Sequence, residues 1–76
     1  MTKQEFKDKL LRLKVHSMLW VIPVWEFHAT GYRPHPKLVI RNLKVYDSRL
    51  RERTFSTQTY TNKKNGKSVY IIFRNE

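Results

Sequence analysis

Apolar residues recur at helical spacing near the start of the chain. Phe6, Leu10 and Leu13 fall at i, i+4 and i+7, so they share one helix face. Thr2-Lys3-Gln4-Glu5 has the spacing of a capping box, in which a Thr oxygen takes an early N–H and a Glu reaches back. Glu5 with Lys9, and Asp8 with Arg12, make i,i+4 pairs of favourable orientation. The pattern predicts a helix from Thr2 to about His16, with Leu11 off the apolar stripe.

Beyond it the pattern changes. Met18 to His28 is rich in aromatic and β-branched residues and predicts a strand. Both parities are apolar, so such a strand is covered on two faces or lies at a dimer contact. Pro23 cannot donate to a ladder and predicts an edge position or a bulge. Gly31, Pro34 and Pro36 mark 29–36 as a loop. Lys37 to Tyr46 predicts a second strand, whose apolar set (Leu38 and Ile40, then Leu43 and Val45) changes parity as a bulge near Arg41-Asn42 would require. Asp47 to Glu52 reads as a turn, or as a short capped helical turn.

Arg53 to Thr61 and Lys67 to Arg74 predict two strands joined at Asn65-Gly66, the dipeptide that suits a two-residue type I′ turn. That turn pairs Asn62 with Val69, Tyr60 with Ile71 and Gln58 with Phe73. One face then carries Tyr60, Val69, Ile71 and Phe73, a core face by composition. The other carries Lys63, Thr61, Thr59, Thr57, Tyr70, Ile72 and Arg74, and is polar and basic with one aromatic. The expected fold is α+β: one N-terminal helix packed on a four-stranded antiparallel meander sheet, a single small basic domain over 1–76.

Charge then decides the class of partner. The 76 residues include 16 Lys and Arg against 6 Asp and Glu, a net charge of +10 at pH 7. A small globule with that excess repels itself and attracts polyanions. Membrane contact is not expected, because the run from Met18 to Trp25 contains Pro23 and falls far short of the ~20 residues that span a bilayer. The N-terminal Leu-rich stretch is interrupted by Lys9, Arg12 and Lys14, unlike a signal peptide. With no cysteine there is neither a disulfide nor a thiolate metal site, which fits a cytoplasmic location.

Three basic clusters are candidate sites. Arg49, Arg51, Arg53 and Phe55 share the parity of the outer hairpin face, where an extended chain would align them with Tyr70 and Arg74. Cations meet phosphates and rings stack on bases, as single-stranded nucleic acid requires. The outer face of any antiparallel sheet is also polar, so the pattern alone is not specific. Tyr32, Arg33 and Lys37, in and beside the 29–36 loop, could clamp a base or phosphate. Lys63, Lys64 and Lys67 crowd the hairpin tip, and a two-stranded ribbon fits a major groove. Trp20 and Trp25 read as core or dimer anchors.

Catalytic chemistry is thin. Glu26, His28 and His35 match no metal-ligand spacing, and no metal or other cofactor is expected. The two glycines, Gly31 and Gly66, make no phosphate loop. His35 with Arg33 and Tyr32, or Tyr70 with Arg74, are the residues a small ribonuclease of the bacterial toxin kind would use. No helix-turn-helix or zinc-finger pattern is legible. The expected function is a non-enzymatic nucleic-acid-binding module, for DNA or RNA. The rivals are a phage- or mobile-element-type protein that inhibits an acidic host protein, and the ribonuclease. A homodimer would cover the second face of the Met18–Trp25 segment.

Overall fold

The computed structural model describes residues 1–16 and 19–76. Met18, where the first strand is expected to begin, lies outside the described residues. Helix α1 spans Lys3–Arg12, and the Thr2 capping box forms as predicted: the Glu5 N–H donates to Thr2 Oγ1 at 3.1 Å and the Thr2 N–H to Glu5 Oε1 at 3.4 Å. Phe6, Leu10 and Leu13 are buried on one side. The helix stops short of His16, which adopts φ 59° and donates its N–H to the Arg74 carbonyl. Leu11 is half-buried against the core, so it is not a free contact.

Strand β1 is shorter than predicted, Leu19–Pro23, because Pro23 caps helix α2, Val24–His28. The larger correction falls on 37–46, which is not a strand. Helix α3 runs Pro36–Tyr46 and buries Pro36, Val39 and Ile40, with Leu43 half-buried behind them. The parity change at Arg41-Asn42 is therefore a helical period and not a bulge. Pro36 at the first position supplies a preset φ and lacks only an N–H that would have no partner in the helix. Helix α4, Ser48–Arg51, realises the capped-turn alternative: Asp47 Oδ1 accepts the Arg49 N–H at 2.9 Å.

Strands β2, Phe55–Thr61, and β3, Ser68–Arg74, complete an antiparallel sheet of order β1-β3-β2. The sheet thus has three strands and is not a meander, since β1 pairs with β3. Pro23 does lie on an edge strand, as its missing N–H predicts. The hairpin register is shifted by two: Tyr60 pairs with Val69 and Gln58 with Ile71. The loop is closed by Asn62 and Lys67, whose N–H and carbonyl meet at 2.8 Å. Among the tip residues Gly66 alone has positive φ, 69°, so the two-residue type I′ turn is absent. The Asn62 and Asn65 carboxamides accept the Lys64 and Lys67 N–H groups instead, which favours the longer turn.

A shift of two keeps every residue on its expected face, but the burial is the reverse of the expectation. Tyr70 and Ile72 point into the core beside Trp20 and Ile22 of β1, while Val69, Ile71 and Phe73 line the open face. Helices cover one face only, and Phe27 and His28 of α2 pack on Tyr70. Phe6 sits at the centre, its ring 5.1 Å from Trp20, 5.2 Å from Phe27 and 5.7 Å from Tyr32. Trp20 is the core anchor expected of it, whereas Trp25 is 72% exposed.

Asp47 ties the α3–α4 corner to α1, receiving Arg49 Nη2 at 2.8 Å and Lys7 Nζ at 3.4 Å. Hydrogen bonds from the Arg49 side chain, above all, hold its carboxyl well below the usual carboxylate range. The folded-state value is the lower one. Its contribution is complete above the unfolded carboxylate pKa of about 4 and is lost as pH falls below it. Asn also caps helices, so Asp47→Asn isolates the charge. The variant is expected to melt at a lower temperature than wild type at pH 7, with the gap closing as thermal melts are repeated at successively lower pH below about 4.

Candidate nucleic-acid interface

The arginine–aromatic sheet face does not assemble. Helix α4 turns Arg49 and Arg51 away from each other. Arg49 is held by both Asp47 oxygens, and Arg51 Nη2 donates to the Val45 carbonyl at 3.2 Å. Arg53 is half-buried and donates to the Leu11 carbonyl at 2.9 Å. Burial, and next the nearby Arg74 charge, lower the affinity of its guanidinium for the proton. Arg74 donates to the Leu13 carbonyl at 3.0 Å and to the Glu76 carbonyl at 2.8 Å. Arg53 and Arg74 thus fasten the C-terminal end of α1 to the sheet. Tyr70 is buried and Phe55 half-buried on the same side, so neither ring stands on an open sheet face.

The loop cluster divides. Tyr32 is half-buried, stacked 6.1 Å from Phe27, with Lys3 Nζ 5.2 Å from its ring centre. Burial pushes its phenol up. It is a wall of the core and not a clamp. Arg33 and Lys37 are exposed, and Lys63, Lys64 and Lys67 stand exposed together at the hairpin tip as expected.

What the sequence reading missed lies on α3. With Val39, Ile40 and Leu43 turned inward, its outer side presents Leu38, Arg41, Asn42 and Val45. Lys37, Arg41 and Lys44 follow at i, i+4 and i+7 along one flank. They line a shallow depression together with Ile40, Thr54 and Phe55. The helical spacing of these three cations is the signal that could have found the site, and it is hidden once the segment is taken as a strand.

The N-terminal end of α3 is fixed by a chain of bonds from the sheet. His35 Nδ1 accepts the Lys37 N–H at 3.1 Å, which leaves Nε2–H to donate to Thr59 Oγ1 at 3.3 Å. The His35 ring meets Tyr70 edge-on at 5.1 Å. The Tyr70 hydroxyl donates to His28 Nε2 at 3.0 Å, and His28 Nδ1–H donates to the Tyr32 carbonyl at 2.9 Å. Thr30 closes the turn, donating to the Phe27 carbonyl at 2.7 Å and accepting the Tyr32 N–H at 3.2 Å. Both ring nitrogens of His28 and of His35 are engaged in positioning this turn. Among the described residues no three His, Asp or Glu side chains gather as a metal site would require, and no helix is long and apolar enough to cross a membrane.

Helix α2, the turn 29–35 and helix α3 make a helix–turn–helix succession. The turn is longer than the three or four residues usual between such helices. Strand β2 passes the start of α3 at Thr59 and ends at Thr61, before the turn that carries Lys63 and Lys64. The His35–Thr59 contact ties the start of α3 to the strand that leads to the hairpin tip. No protein-family model matches the chain, and no curated protein or solved structure matches it significantly.

Proposed function

We propose that this domain binds duplex DNA without cutting it, laying α3 in the major groove. The observation that carries this reading is the outer face of α3: Leu38, Arg41 and Val45 in the middle, Lys37 and Lys44 on one flank and Asn42 on the other. Arg pairs with guanine and Asn with adenine in the major groove, and apolar side chains meet the thymine methyl. In a helix–turn–helix pair the second helix enters that groove while neighbouring elements contact the backbone. The exposed Lys63, Lys64 and Lys67 tip supplies further cations for the phosphate backbone. Arg33, in the turn, adds a further phosphate contact. Such a role belongs in the cytoplasm, which the absence of cysteine also suits.

The test is fluorescence anisotropy with labelled duplex DNA, single-stranded DNA and RNA, each from about 50 to 300 mM salt. Duplex DNA is expected to bind tightest and to remain intact on a gel. If about six phosphates are neutralised, log K falls against log salt with a slope near −5. Equal or stronger binding to single strands would remove the groove-reading role of α3, and fragments on the gel would revive the ribonuclease.

A further inference from the structure

Among the described residues, the sheet buries one face and leaves the other open. Leu19, Val21 and Pro23 of β1, Val69, Ile71 and Phe73 of β3, and Ser56, Gln58 and Tyr60 of β2 share the open side. None of these nine is charged, in a chain whose 76 residues include 16 Lys and Arg and 6 Asp and Glu. Leu19, Val21 and Tyr60 are more than half exposed, and Trp25 joins them at one end in a depression it shares with Pro23 and Val69, with Lys67 of the hairpin tip at its rim. We propose that this face is covered by the same face of a second copy, giving a two-fold dimer.

Charge points to that occupant. A polyanion or an acidic partner would be met by cations, and the nine positions hold none. Two copies meeting here keep their Lys and Arg side chains at the rim and on the helical sides. Area points the same way. With aromatic side chains offering roughly 150–250 Å² each, the patch presents about 500–700 Å² per copy. Pairing it buries at most about 1,000–1,400 Å², from the weak class to the low end of specific interfaces, in keeping with a micromolar dimer. The face is a shallow trough, with Leu19 of β1 and Ser56 and Gln58 of β2 walling a depression over Ile71 and Phe73 of β3. A two-fold axis along the strands lays β1 of one copy over β2 of the other, so that Leu19 and Val21 meet Ser56 and Gln58. The helices lie on the opposite side of the sheet, so the dimer leaves α3 free.

The experiment is sedimentation equilibrium of the full chain from about 5 to 500 μM in about 0.5 M salt, which screens the net charge to a few ångströms. A monomer–dimer equilibrium with a micromolar dissociation constant is expected. Ile71→Lys, and separately Val21→Lys on the exposed edge, are expected to raise that constant roughly 30-fold or more, the scale of a central interface residue. Val21→Lys changes a side chain 53% exposed, so it tests the face even where Ile71→Lys fails to fold. A single-chain mass of 9.3 kDa at every concentration would overturn the proposal, as would a dimer indifferent to both substitutions. DNA binding fades at this salt, so the dimer stands or falls independently of it.

Discussion

Replacing Lys37, Arg41 and Lys44 together with alanine is expected to weaken duplex DNA binding roughly 10²–10³-fold. A base-contacting Arg contributes about 1–3 kcal/mol and each Lys a phosphate contact. Lys37 and Arg41 are exposed and Lys44 half-buried at the edge, while the buried side of α3 is untouched. Alanine has the highest helix propensity, so the helix itself should hold. The three cations need not act alike. Arg41→Ala alone should relax sequence preference, whereas Lys37→Ala should weaken all duplexes evenly and lower the salt slope by about 1. Anisotropy titrations at several salt concentrations, beside a thermal melt of each variant, separate these outcomes. Unchanged affinity in the triple variant would move the interface elsewhere.

Phe6→Ala is expected to cost about 3–5 kcal/mol, a large share of the stability of so short a domain. Phe6 is fully buried between Trp20, Phe27 and Tyr32, where α1, β1, α2 and the turn before α3 converge. A domain this short holds only about 4–11 kcal/mol in all. The cavity falls among the rings of Trp20, Phe27 and Tyr32, each anchored on a different element. Urea denaturation followed by tryptophan fluorescence measures the loss. A cost below about 1 kcal/mol would place the centre of the core elsewhere.

Helix α1 is legible because two local signals coincide, the capping box and the Phe6–Leu10–Leu13 stripe. α3 is hidden because its Val and Ile residues favour strands, and a parity change fits a bulge as readily as a 3.6-residue period. Pro36 at the first helical position is the clue that separates them. Its partner, a His35 ring nitrogen serving as the cap, is not among the usual capping groups. The hairpin strands and the sharing of faces are correctly legible, since a register shift of two preserves parity. Which face is buried is not. Val69, Ile71 and Phe73 are more apolar than Tyr70, Ile72 and Arg74, and only the Tyr70–His28 bond and the helices above it choose the latter set. The three arginines mislead for a related reason. Arg49, Arg51 and Arg53 share a parity only if extended, and the Asp47 cap folds the segment instead. The hairpin-tip lysines need no tertiary information, and they stand where the turn residues put them.

Titrating isotopically labelled protein with a short duplex, and following each backbone amide by NMR, maps the bound surface residue by residue. The helix–groove account predicts the strongest shifts over 37–46 and at the 63–67 tip, with the open-face amides of β1 and β3 unmoved. Shifts concentrated on that open face, with α3 silent, would contradict it.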